Sequence, residues 1–171
     1  RYNKTAPSVT DVHNVTKEVL LVWVNECLPQ VSKMLLHRLD QLQELLEYDH
    51  DLGTKVADGQ YTAPANLEIP LAVRLGSSKT AAELYANPAE FALLDDSGPL
   101  VTPTTELPAA LVANKRVYAK PTSLDPAVMD YVKSHPEFKD ASGNETQWGD
   151  MPDKILIELV AAKFWDYKKF P

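Results

Sequence analysis

The sequence has very little cysteine and no long hydrophobic run. Cys27 is the only cysteine among 171 residues, so no disulfide can form within the chain. The apolar run from Val19 to Val24 ends at Asn25, far short of the roughly 18 residues that a transmembrane helix needs. These two absences argue against a disulfide-stapled secreted domain and against a membrane protein, and they favour a cytosolic site of assembly.

Three short patterns point the other way. Glycosylation acceptor triplets begin at Asn3, Asn14 and Asn144. Because a three-residue pattern arises by chance often, we keep cytoplasmic assembly as the simpler expectation.

Positive charge is also scarce. Seventeen lysines and arginines face 24 acidic residues, giving a formal net charge of −7. No cluster of basic residues is present that would neutralise a phosphate backbone. The balance therefore argues against a nucleic-acid-binding surface on the free chain.

Recognisable catalytic motifs are missing. The sequence has no glycine-rich phosphate loop, no His-Glu-x-x-His and no Gly-x-Ser-x-Gly. Asp49, His50 and Asp51 are ligand-type residues, but three adjacent side chains converge poorly on one ion, so we expect a solvated helix end. Cys27 is expected to be a buried, inert thiol and His37 a surface residue. We therefore expect no enzymatic activity, no metal and no cofactor.

What the chain does have is a long leucine-rich stretch over residues 15–48. A stripe at helical spacing is formed by Leu21, Leu28, Leu35, Leu39, Leu42 and Leu46. Such a stripe either faces the core or also contacts another subunit. Pro29 interrupts the stretch, so either the helix kinks near Asn25 or two helices form. We prefer two helices, over 15–27 and 29–48, with the second ending before Gly53.

The chain closes on a second apolar helix. Asp150 offers an N-cap, and the segment from Pro152 to Tyr167 is apolar on most of its circumference. A helix of that kind must be covered on two sides. We expect it to pack on the N-terminal helices, with Trp23 and Trp165 in the core.

The middle of the chain reads as strands, turns and short helices. Strands are predicted over 67–75, where Pro70 either places the strand at a sheet edge or splits it, and over 128–133. Residues 110–120 are predicted to form a hairpin that turns at Asn114 and Lys115. Two short helical pieces are predicted within 77–96, one capped by Thr80 and Glu83 and one opened by Asn87 and Pro88.

The expected fold class is α+β, mainly α. The N- and C-terminal helices would form a helical bundle within one domain, residues 14–171. A β-containing, proline-rich insertion over about 54–150 would project from it. Residues 1–13 would form an N-terminal arm.

Five aromatic or apolar residues are candidate interface residues: Tyr2, Val9, Tyr118, Tyr131 and Trp148. Tyr2 and Val9 lie in the arm. Trp148 lies in a polar loop, where it serves either as an interface anchor or as a lid on the helices.

The order of these segments resembles the head-to-tail adaptor, or connector, proteins of tailed bacteriophages. The resemblance spans residues 12–167 and rests on several short motifs: Val24-Asn25-Glu26, Gly59-Gln60-Tyr61-Thr62 with Pro64, Lys115-Arg116-Val117-Tyr118 with Lys120-Pro121, Tyr131-Val132-Lys133 before Pro136, and Met151-Pro152-Asp153 opening a helix with Ala161-Ala162.

The resemblance implies a structural virion protein that assembles as a ring, typically of twelve copies. Such a ring lies beneath the portal protein, contacts tail proteins and lets DNA pass through its channel without sequence-specific binding. Two alternatives stay open: another virion component, such as a tail completion or capsid-associated protein, and a cellular helical module that binds a partner helix.

Overall fold

The chain contains two compact units. The computed structural model describes residues 15–94, 102–139 and 150–169. One unit, here called the helical unit, consists of Arg1–Glu44 and His135–Pro171, and the other, the sheet unit, consists of Leu45–Ser134. The arm expected over 1–13 lies outside the described residues.

The first helix, α1 (Lys17–Met34), is continuous through its proline. Thr16 caps it, since its side-chain oxygen accepts a hydrogen bond of 3.4 Å from the Val19 amide. The predicted break into two helices at Pro29 is therefore wrong. Burial of the neighbouring side chains Leu28 and Val31 holds this turn in place and offsets the hydrogen bond that the proline cannot make.

The leucine stripe does not continue as a helix to residue 48. A 3₁₀ helix spans Leu39–Leu45, and strand β1 follows at once, over Leu46–Asp51. The expectation of a helix over 29–48 is wrong in its second half. Pairing of β1 with a strand 77 to 86 residues further along the chain overrides the local periodicity.

The C-terminal helix, α3 (Asp150–Lys169), confirms the sequence prediction and packs antiparallel on α1. The rings of Trp23 and Tyr167 lie 5.6 Å apart, and Lys163 forms an ion pair with Glu26. The start of one helix therefore lies beside the end of the other.

The sheet unit contains two four-stranded sheets. The first has the order β1-β8-β3-β4, with β3 at Leu67–Leu75, β4 at Thr80–Ala81 and β8 at Ala127–Lys133. β4 pairs only with Arg74 and Leu75, so Pro70 lies on a sheet edge, as predicted.

The second sheet has the order β2-β7-β6-β5, over Gln60–Thr62, Arg116–Lys120, Ala109–Ala113 and Glu83–Tyr85. The β6–β7 hairpin confirms the sequence prediction. Its two-residue turn has φ values of +52° at Asn114 and +60° at Lys115, which match the twist of the flanking strands. β5 runs parallel to β6.

Between β5 and β6 the chain forms a short helix, α2 (Pro88–Leu93). Asn87 caps it by accepting a 2.9 Å hydrogen bond from the Ala89 amide, as predicted. The other predicted helix, opened by Thr80, is wrong because those residues form β4 and β5 instead.

The two sheets enclose one hydrophobic core. Its largest fully buried side chains, drawn from both sheets, are Tyr61, Tyr131, Leu75, Met129, Val73 and Val117. The expectation of a mainly helical bundle is therefore wrong, since three α-helices accompany two complete sheets in the described part of the chain. The pairings that build these sheets join segments that are distant in the sequence. Such pairings produce no helical periodicity from which they could be predicted.

Candidate assembly interface

The outward side of α3 presents an apolar stripe. Ile157, Ala161 and Trp165 recur every four residues and share one face, and 67% of Ile157 and 54% of Trp165 are exposed. Phe164 supports this stripe, with its ring edge-on to Trp165 at 5.6 Å. The expectation that Trp165 lies in the core is wrong.

The opposite side of α3 is covered. Pro152 and Leu156 are buried there, and Lys163 and Tyr167 contact α1. α3 is therefore apolar on two sides, and α1 covers one of them. Exposed large apolar side chains grouped on one face mark an interaction surface more often than scattered ones do.

A second exposed apolar area lies on α1. Val22 is 53% exposed, and Pro29, two turns further along the same face, is half-buried. Charged residues flank this area, with Glu18 in the first turn and Lys33 in the last. On this face Val22 is a single exposed apolar side chain, with Glu18 one turn before it and Glu26 one turn after it.

The segment before α3 is fixed to α1 by one side chain. The Asn25 amide donates a 3.0 Å hydrogen bond to the Phe138 carbonyl and accepts one of 2.9 Å from the Phe138 amide. His135 is 8% exposed and its ring lies edge-on to Phe138 at 5.5 Å. Burial lowers the pKa of His135, while its hydrogen bond to the Pro136 carbonyl and the charge of Asp153 oppose that shift.

The longest sheet edges are poorly suited to pairing with another chain. β1 contains an irregularity between Glu47 and His50, where Asp49 takes a φ of +51°. The free side of β3 carries Pro70, which has no amide proton to donate. Bulges, charges and proline on an edge all oppose strand addition, so neither edge is a good template for assembly.

An ion network holds the β1 irregularity in place. Arg74 donates to both Asp130 oxygens and to Asp49, at 2.5 to 2.8 Å, and the Asp49 amide donates to Asp130 at 2.8 Å. Hydrogen bonds from Arg74 and Lys79 lower the pKa of Asp49. The carboxylates of Asp49 and Asp130 therefore have hydrogen-bond partners within the chain, and the network has a structural role.

The same network corrects one expectation. Asp49, His50 and Asp51 belong to strand β1, so the predicted solvated helix end is wrong. His50 instead lies edge-on to the Tyr131 ring at 5.5 Å. Within the described ranges, no group of three metal-ligating side chains converges on one point.

A cavity of about 360 Å³ lies in the sheet unit. Its lining is mainly apolar: Ala81, Ala82, Glu83, Tyr85, Leu94, Pro103, Leu107, Pro108 and Ala109. The Tyr85 hydroxyl donates to the Glu83 carboxylate at 3.2 Å. The lining therefore carries one carboxylate with a phenol as its partner, and no nucleophile paired with a base.

The predicted interface residues fall into three groups. Tyr2, Val9 and Trp148 lie outside the described residues. Tyr118 is half-buried against a small apolar cluster that includes Phe91. Tyr131 is 2% exposed and donates from its hydroxyl to the Asn66 side chain at 2.9 Å, so it offers no surface in the single chain.

The structure adds Val22, Ile157 and Ala161, which sequence reasoning did not select. The signal for the last two was present, because a helix that is apolar on most of its circumference needs cover on two sides. The signal for Val22 was weak, since a valine on a helix is more often a core residue.

No protein-family model matches the sequence, and no curated protein shows significant similarity to it. None of the helices in the described residues combines the length and the apolar content needed to cross a membrane.

Proposed function

We propose that this chain is a structural subunit that assembles with copies of itself into a closed ring, and that the ring is the head-to-tail adaptor of a tailed bacteriophage virion. The ring would lie between the portal protein and the tail proteins and let DNA pass through its channel. The subunit needs no catalytic centre and no cofactor for this role.

The observation that carries the proposal is the uncovered side of α3. Ile157 and Trp165 are more than half exposed, while α1 covers only the opposite side. Burying such a face gains roughly 25 cal/mol for each Å² of apolar surface, so a neighbouring helix stabilises the pair. In a ring, each copy supplies that helix to the next.

Two further features agree with the proposal. The β1 and β3 edges oppose strand pairing, which leaves helix packing as the route of assembly. The net charge of −7 disfavours a tight grip on DNA, as a channel through which DNA must slide requires.

The test is genetic and structural. Disrupting the gene in its phage should yield DNA-filled heads without tails, and electron microscopy of the purified protein should show closed rings with a central channel. Intact, tailed particles that lack the protein would reject the adaptor role. A monomer or simple dimer in solution would favour a cellular interaction module instead.

A further inference from the structure

We propose that the cavity in the sheet unit binds a lysine side chain of another protein, with the ammonium group at Glu83 and the methylene stem against the apolar walls. This inference goes beyond the proposed function and does not depend on the ring. It follows from the walls of the cavity, from the hydrogen-bonding groups of its lining and from the charges around it.

The walls of the cavity suit an aliphatic stem. Alanine, leucine and proline make up most of the lining, and the volume of about 360 Å³ lies at the small end of the range for ligand pockets. A lysine side chain buries its methylene groups along such walls while its charged end reaches a polar partner. Leu107 lines the cavity and is also 72% exposed, so apolar surface continues outside the mouth. A lysine within a peptide covers that outer surface as well, which a free amine does not.

The lining has few hydrogen-bond donors to offer a ligand. The backbone amides of Glu83, Leu94 and Leu107 already donate to acceptors within the chain. Pro103 and Pro108 have no amide proton. A ligand that carries mainly acceptors therefore finds few partners here, and a ligand that brings its own donors is favoured.

The polar side chain of the lining that remains is a negatively charged acceptor. The Glu83 carboxylate accepts a 3.2 Å hydrogen bond from the Tyr85 hydroxyl, and both residues line the cavity. Burial raises the pKa of Tyr85, and its hydrogen bond to Glu83 and the charges of Glu83 and Glu90 raise it further. The phenol therefore stays protonated and is the donor of this pair. Because a carboxylate offers about four acceptor positions, Glu83 can also accept from an ammonium group.

The charges around the cavity favour a cation. Glu90 places a second negative charge near Tyr85. The ammonium group of Lys120 lies beside the lining, but it donates to the carbonyls of Phe91 and Leu94 and is 5.2 Å from the centre of the Phe91 ring. Within the described part of the chain, the ion pairs do not include Glu83. Its carboxylate is therefore available to a cation from another molecule.

Titration of the isotope-labelled chain with capped amino acids, followed by NMR, tests the site. Acetyl-lysine methylamide and acetyl-norleucine methylamide share the same stem, and only the first has the ammonium group. We expect both to move the amide signals of Ala81, Ala82 and Tyr85. The lysine probe should bind roughly twofold to fivefold more tightly, as an exposed ion pair allows. Pentylamine, which has the stem and the charge without the peptide groups, should bind more weakly than the lysine probe.

A single variant isolates the charge. Glu83 is exposed, so Glu83→Gln should keep the wild-type circular dichroism spectrum, and it should bind the lysine probe no more tightly than the norleucine probe. Glu44→Gln removes an exposed carboxylate from the helical unit and is the matched control, with an unchanged preference for lysine. If Glu83→Gln fails to fold, added salt replaces it, because salt should weaken binding of the lysine probe to the wild type and leave the norleucine probe unaffected.

Four results would overturn the inference. Equal affinities of the lysine and norleucine probes would exclude a cation site, and a lysine preference that survives in Glu83→Gln would exclude that carboxylate. Signal changes confined to residues outside the lining, or no changes at all, would exclude the cavity. Pentylamine that binds as tightly as the capped lysine would exclude a protein partner in favour of a free amine. None of these results bears on the proposed ring, which the molar mass of the chain tests separately.

Discussion

Asn25 and Phe138 pair through two hydrogen bonds although 113 residues separate them in the sequence. The Asn25 side-chain amide meets both backbone groups of Phe138, as a neighbouring strand would. This pair fixes the backbone at Phe138 to the middle of α1, the helix on which α3 also packs.

Replacing Asn25 should therefore destabilise the helical unit. Asn25→Ala removes the hydrogen-bond partners of the half-buried Phe138 amide and carbonyl. Leaving such backbone groups without partners costs about 1–3 kcal/mol of folding free energy. Urea unfolding monitored by circular dichroism should show that loss. Gln30→Ala, at an exposed site on the same helix, should change stability by less than about 0.5 kcal/mol. Equal losses for the two variants would contradict a stabilising role for the Asn25–Phe138 hydrogen bonds.

Two glycines provide a matched test of the sheet unit. Gly53 and Gly59 both have positive φ, +70° and +63°, so alanine is strained by roughly 1–2 kcal/mol at either. At Gly59 an added Cβ would also lie 2.6 Å from the Ala119 carbonyl oxygen, while at Gly53 it meets nothing within 4 Å. Gly59→Ala should therefore lower the melting temperature clearly more than Gly53→Ala. The reverse order would contradict the close approach of the Ala119 carbonyl oxygen to Gly59.

The Arg74 network should matter far more than a surface ion pair. Arg74→Met leaves the largely buried Asp130 carboxylate with only the Asp49 amide as a charge-stabilising partner, which costs about 3–5 kcal/mol. Lys133→Met breaks the more exposed pair with Glu47 and should cost about 0–1 kcal/mol. Chemical denaturation of both variants measures the two losses. A small loss for Arg74→Met would show that water reaches Asp130 freely.

How well the sequence predicts each element depends on whether the residues that determine it are neighbours in the sequence or lie far apart. The α2 cap at Asn87, the β6–β7 turn at Asn114 and the span of α3 follow from a few neighbouring residues, and all three are confirmed. The sequence does not reveal β1 because Leu46 continues the helical spacing of the leucines before it, while the pairing of β1 with β8 is decided by distant residues.

The candidate site was predictable only in outline. The composition of α3 indicates cover on two sides, but the side that meets α1 depends on how the two helices pack. For that reason Trp165 was expected in the core and lies on the surface, and Val22 was overlooked. An isolated helix pattern identifies an apolar circumference and does not say which part a neighbour covers.

Stability should also depend on His135. Because burial lowers its pKa below the ordinary value of 6.5, the folded chain binds this proton less readily than the unfolded chain does. As the pH falls below 6.5, the unfolded state gains protons first and the folded state loses stability. We expect the melting temperature to fall between about pH 7 and pH 5. In His135→Gln part of that fall should disappear, and an unchanged pH dependence would contradict the assignment.

Self-assembly is the central claim, and the molar mass of the purified wild-type chain tests it most directly. Size exclusion with light scattering should give one species of many chain masses, and its mass should stay constant as the concentration rises, because a closed ring has no free ends. A monomer or dimer at every concentration would contradict the account, and so would a mass that grows without limit.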